Sequence, residues 1–227
     1  MKAMEWMKTT FAGVLSIGVL LGSAAAQDTP QDPTVTASTP RQQQIELALS
    51  AAPAEVSSKA TVYILGRQGY EKVRQGTDGF SCFIWRSFKE TMQVSAAPAC
   101  FDAEGSRTLM VTAMRREELR AQGKSEAEIK DEIAKGYKDG RFKAPGPGFL
   151  YMMSNENYFY DSEARQWRTV PPHVMFYAPN KTVKDVGYES KSPAMVPYLT
   201  GDGPEALMVV MAKNPSQANS SEDSHKH

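Results

Sequence analysis

The stretch SRTLMVTAMRREELRAQGKSEAEIKDEIAKGYKDGRF, residues 106–142, shifts the hydrophobic period of the chain from two to about 3.6. The segments on either side of it alternate or run apolar at strand length, so helices must lie between two groups of strands. This order argues for an α+β fold with an antiparallel sheet, and against a parallel βαβ array. Within the stretch, Ser106 is a candidate cap and Gly123 a stop, after which Ser125 and Glu128 form a capping-box pattern. Ile129, Ile133 and Tyr137 make an apolar stripe, and Glu126 to Lys130 and Asp131 to Lys135 are i, i+4 pairs in the favourable order. A helical hairpin follows from these signals.

Before it, RQQQIELALSAA at 41–52 sets Ile45, Leu47 and Leu49 among good helix formers and stops at Pro53. ATVYIL, YEKV and FSCFIW then read as strands, separated by GRQG and by QGTDG, whose Asp78-Gly79 is a hairpin signal. A weaker strand is expected between Phe88 and Val94. After KAPGPG, strands are expected at FLYMMS, YFYD, QWRTV and HVMFYAP, and Ala206 to Ala212 reads as a strand buried on both faces.

The first 26 residues carry Lys2 and Lys8 ahead of an apolar run that ends in small residues at Ala26. The run from Thr9 to Leu21 is shorter than the roughly 20 residues a spanning helix needs, so a signal peptide is expected, and with it export to the periplasm or the medium. Without Lys2, Lys8 and Glu5, the 26 basic and 26 acidic residues of the chain become 24 and 25. A net charge near −1 gives no electrostatic reason to expect nucleic acid or anionic lipid as a partner. Residues 27–40 and 213–227 are polar and rich in Pro, Ser, Thr, Asn and Gln, which predicts a disordered linker and tail around a single domain at 41–212.

Cys82 and Cys100 are the two cysteines, and an oxidising compartment favours their pairing. On a strand, Phe80, Cys82 and Ile84 share a face, and a thiol buried there is a poor nucleophile. A structural disulfide is expected. Of three histidines, His225 and His227 fall in the tail, so His173 alone is available to a fixed site. That is too few ligands for a zinc site, and no G-x-S-x-G turn presents a serine to it. His173 and Met175 share a strand face near Met152 and Met153, a soft donor set that suits Cu(I), while methionines in apolar runs also fill cores. No cofactor and no metal is expected on balance. Asp102, Glu104, Asp139, Glu156 and Asp161 are carboxylates near turns, of which any facing pair could serve a hydrolase. Tyr158, Tyr160 and Trp167, with Phe159 between, cluster on one expected hairpin; together with His173 they are the candidate ligand-binding residues.

GYEKVRQGTDGFSC, CFDAEG, RREELRAQGKSEAEI and PPHVMFYAPN together resemble a family of exported bacterial proteins without an assigned function. The resemblance covers most of residues 41–212 and implies a bacterial origin, but no fold, ligand or catalytic residue. The reading that results is a non-enzymatic exported domain binding a small molecule or an envelope protein. A carboxylate-dependent hydrolase using Asp102, Glu104 or His173 is the alternative.

Overall fold

The computed structural model describes residues 33–89, 92–187 and 197–212. The expected signal peptide and the expected tail at 213–227 lie outside the described residues. Helix α1 (Arg41–Leu49) and the short α2 (Ala54–Ser57) precede strands β1 (Thr61–Gly66), β2 (Gly69–Arg74), β3 (Ser81–Lys89) and β4 (Met92–Phe101). Helices α3 (Ala103–Ser106), α4 (Leu109–Ala121) and α5 (Glu126–Lys138) come next. They lead into β5 (Phe149–Met152), β6 (Tyr158–Asp161), β7 (Gln166–Thr169), β8 (His173–Tyr177), β9 (Tyr198–Thr200) and β10 (Leu207–Met211). The fold is α+β, with helices between two strand groups as the change of period requires.

All ten strands join one sheet in the order β2-β1-β3-β4-β5-β8-β10-β9, with β6 also on β4 and β7 on β6. The sheet is antiparallel except between β1 and β3, which run parallel. The Asp78-Gly79 turn does not close a hairpin between β2 and β3. Instead, residues 75–80 carry the chain past the start of β1 to its other edge, where the Thr61 amide bonds to the Phe80 carbonyl at 2.8 Å. Gly76 makes that crossing possible, because a Cβ there would collide with the backbone of Ala60 and Thr61.

Each face of the sheet carries a core cluster. Val62, Cys82 and Cys100 pack with Ala48, Ala51 and Ala52 under α1. The alternate residues Phe83, Ala99 and Phe101 pack with Leu109, Met110 and Ala113 of α4 on the opposite face. Cys82 and Cys100 are direct cross-strand partners and form the disulfide. Gln44 of α1 is buried and uses its amide as a strand would use a peptide group: Nε2 donates to the Leu65 carbonyl, and Oε1 accepts from the Leu65 amide at 2.8 Å. Within the polar leader at 27–40, residues 33–40 pack on the domain, with Val35 buried and its carbonyl accepting from Arg86 at 2.9 Å.

The helical hairpin differs from expectation in two details. Ser106 ends α3 and does not cap α4, whose N-cap is Thr108 with no side-chain bond; Asp102 caps α3, accepting from the Gly105 amide at 2.8 Å. The expected pairs from Glu126 to Lys130 and from Asp131 to Lys135 do not form, since Glu126 pairs with Arg120. Gly123 (φ +78°) does terminate α4, and the Ser125/Glu128 capping box starts α5. Ile129 and Ile133 then bury against Leu119. Strand β10 alternates rather than being sealed on both faces: Leu207 and Val209 are buried, Met208 and Val210 only half-buried.

Candidate functional site

Strand β4 divides the sheet. Its Cys100 and Phe101 pair with β5, while Ser95 and Ala96 pair with β6. Pro98 lies between the two, where its missing N–H costs no ladder bond. The fork leaves a cleft of about 410 Å³ on the α4 face of the sheet. Trp85, Met152, Met175, Leu207 and Val209 give it apolar walls, and Phe159 and Tyr198 add aromatic surface.

Register explains how these side chains meet. Met152 is the direct partner of His173 across β5 and β8, and Met175 is paired with Val209 across β8 and β10. Cross-strand partners project to the same face, so the thioethers and the imidazole share one cleft. His173 is 2% exposed, and its Nδ1 lies 2.8 Å from the Pro171 carbonyl. A carbonyl can only accept, so Nδ1 carries the proton and Nε2 presents a lone pair. Burial lowers the His173 pKa from its ordinary value, against the opposing pull of the Pro171 carbonyl, and this holds the ring neutral. Among the described residues Nε2 has no partner.

Asn157 closes the corner of the fork and is 0% exposed. Its Nδ2 donates to the carbonyls of Met152 at 2.9 Å and Ser154 at 2.7 Å, which fixes the orientation of the amide. Oδ1 is then left with no donor. A buried unmatched acceptor costs on the order of 1–3 kcal/mol, so this one calls for a reason. Met152 both receives the Asn157 amide and pairs with His173, so the buried Oδ1 lies behind the same end of the cleft at which His173 presents Nε2.

At the other end stand Asp202 and Glu205. Glu205 is committed: Arg116 binds it at 2.6 Å, and Thr112 and Tyr137 donate to it at 2.7 and 3.1 Å. Burial would raise its pKa, but these partners hold it below the usual carboxylate value, and Glu205 in turn helps burial to push the Tyr137 phenol up. Asp202 has no such partner among the described residues.

Of the candidate residues, His173 and Tyr158 line the cleft. Tyr160 and Trp167 do not; they meet edge to face across β6 and β7, with ring centroids 5.6 Å apart. Asp102 and Glu104 are engaged elsewhere. Asp102 accepts from the Phe149 amide at 3.0 Å and the Tyr177 hydroxyl at 2.8 Å, and Glu104 accepts from the Gly146 amide at 2.6 Å. Asp161 folds its own turn and pairs with Arg168 at 2.6 Å. Among the described residues no group of three or more His, Cys, Asp or Glu is placed to hold a metal, and no helix is long and apolar enough to cross a membrane. Asn157 was missed from the sequence because SNEN reads as an ordinary turn. No protein-family model, curated protein or solved structure matches the chain.

Proposed function

We infer that this chain is an exported binding domain that holds a small, hydrogen-bond-donating molecule in the cleft at the fork of its sheet. The observation that carries the reading is an apolar cleft of about 410 Å³ with His173 Nε2, an acceptor without a donor among the described residues, at one end. Binding sites combine apolar walls with a few convergent polar groups, and a ligand donor would satisfy that lone pair. The lysines ahead of an apolar run at the N-terminus and the oxidised cysteine pair support export. Binding without turnover fits the commitment of the candidate carboxylates Asp102 and Glu104 to capping and loop bonds and of Glu205 to Arg116.

Native mass spectrometry of the protein exported from a bacterial host, beside a denatured spectrum, tests this. The expected result is additional mass in the native spectrum alone, reduced in His173→Phe. A clean apo mass, together with unmoved His173 imidazole NMR signals on addition of amine, amide and alcohol fragments, would refute it.

A further inference from the structure

The charged groups that line the cleft are of one sign. His173 Nε2 at the β5–β8 end is an acceptor without a donor among the described residues, and the charge without a partner at the opposite end, Asp202, is negative. No Lys or Arg appears among the described lining residues, and Arg116, the nearby cation, is held by Glu205. Between the ends lie the aromatic and thioether walls. A cation gains from both features, since a carboxylate and the faces of aromatic rings attract positive charge while anions find no counter-ion.

The spacing of the ends narrows the choice. His173 and Tyr177 are the first and last residues of β8, four positions apart, which at about 3.3 Å per residue is roughly 13 Å. Tyr177 pairs with Leu207, and Leu207 with Thr200, two residues before Asp202. The cleft thus runs along β8 and β10 with the imidazole acceptor at one end and a carboxylate at the other. A compact ammonium ion would satisfy one end alone.

We propose that the cleft binds a linear aliphatic polyamine. One terminal ammonium faces Asp202, the methylene chain lies along Met175, Leu207 and Val209, and an N–H donor of the far end meets His173 Nε2. This rests on the binding reading above and names its ligand class.

The test is isothermal titration of the exported protein with spermidine, the shorter diamine putrescine, and suberate as an apolar chain of opposite charge. Spermidine should bind with one-to-one stoichiometry, putrescine at least tenfold more weakly, and suberate not at all. Asp202 is exposed, so Asp202→Asn should fold normally, as an unchanged melting curve without ligand would show, and should weaken spermidine about tenfold; Asp202→Lys should abolish binding. Spermidine that binds equally well to wild type and Asp202→Lys, or that does not bind at millimolar concentration, overturns the proposal. So does one equivalent of Cu(I) that is lost in Met152→Leu and excludes spermidine. If native mass spectrometry finds a different small molecule in the cleft, the polyamine assignment fails while the binding reading stands; if both experiments are blank, both fail.

Discussion

Replacing Glu117 by glutamine should be among the costliest conservative changes in this protein. Glu117 sits on α4 with its side chain 2% exposed, between Arg86 of β3 and Arg120 of its own helix, whose side chains are 11% and 13% exposed. Arg120 also binds Glu126 of α5 at 2.6 Å and lies 4.0 Å from the Phe88 ring centroid. Tyr70, half-buried beside them, has its phenol pKa pushed up by desolvation and then by the Glu117 charge. One carboxylate therefore balances two largely buried guanidinium groups and ties α4 to the sheet. The glutamine is nearly the same shape but leaves both cations facing one another with Glu126 alone to offset them. Removing one partner of a buried pair costs about 3–5 kcal/mol. For a domain of this size each kcal/mol moves the midpoint by about 2–4 °C, so a fall on the order of 10 °C is expected in thermal melts, confirmed by equilibrium urea unfolding. Lys124→Ala, which breaks the solvent-exposed pair with Glu128, should leave the urea midpoint unmoved and serves as the control. The reasoning is refuted if Glu117→Gln costs less than about 1 kcal/mol, or if it costs the same when Arg86 and Arg120 are already methionine.

Two further outcomes follow from the core and the cleft. Cys82→Ala with Cys100→Ala opens a loop of sequence separation 18 and should lower unfolding stability by about 3 kcal/mol in urea; an unchanged midpoint would show that the cross-strand pairing of β3 and β4 needs no staple. His173 should make stability fall with acid. Its folded pKa is depressed while the unfolded ring titrates near 6.5, so as pH drops below about 6.5 the unfolded state takes up a proton that the native state resists, and stability declines by up to about 1.4 kcal/mol per pH unit until the folded pKa is reached. Urea midpoints of wild type and His173→Asn from pH 7 to 5 should diverge by that slope, and parallel curves would contradict a neutral buried imidazole.

Local signals in the sequence were reliable where one residue settles one bond. Gly123 and the Ser125/Glu128 box mark the turn between α4 and α5 because left-handed backbone and reciprocal capping are decided within a few residues. The cysteine pairing was legible because two cysteines leave one possible partner for each. What escaped was pairing at a distance. The second half of β4, SAAPACF, contains three alanines and a proline, poor strand formers that nevertheless sit against β3 because the cross-strand partners Phe83 and Trp85 supply the bulk. The crossing of β3 to the far edge of β1 is a choice of neighbour that the Asp78-Gly79 turn does not encode. Arg86 and Glu117 are separated by 31 positions, and nothing in either segment names the other.

The same limit applies to the site, and Pro98 shows how fold and cleft are connected. A proline in β4 denies a continuous partner strand one donor, so the neighbours arrive as two short strands, β5 beside Cys100 and β6 beside Ala96. The chain must turn between those strands, and Asn157 makes that turn by donating to the carbonyls of Met152 and Ser154. Donating both N–H groups to the backbone is what leaves Oδ1 without a donor, buried behind the cleft wall. His173 repeats the pattern: its Nδ1 proton is spent on Pro171, and the free lone pair is left on Nε2. In each case the bond that builds the fork also fixes which atom of the side chain is left without a partner.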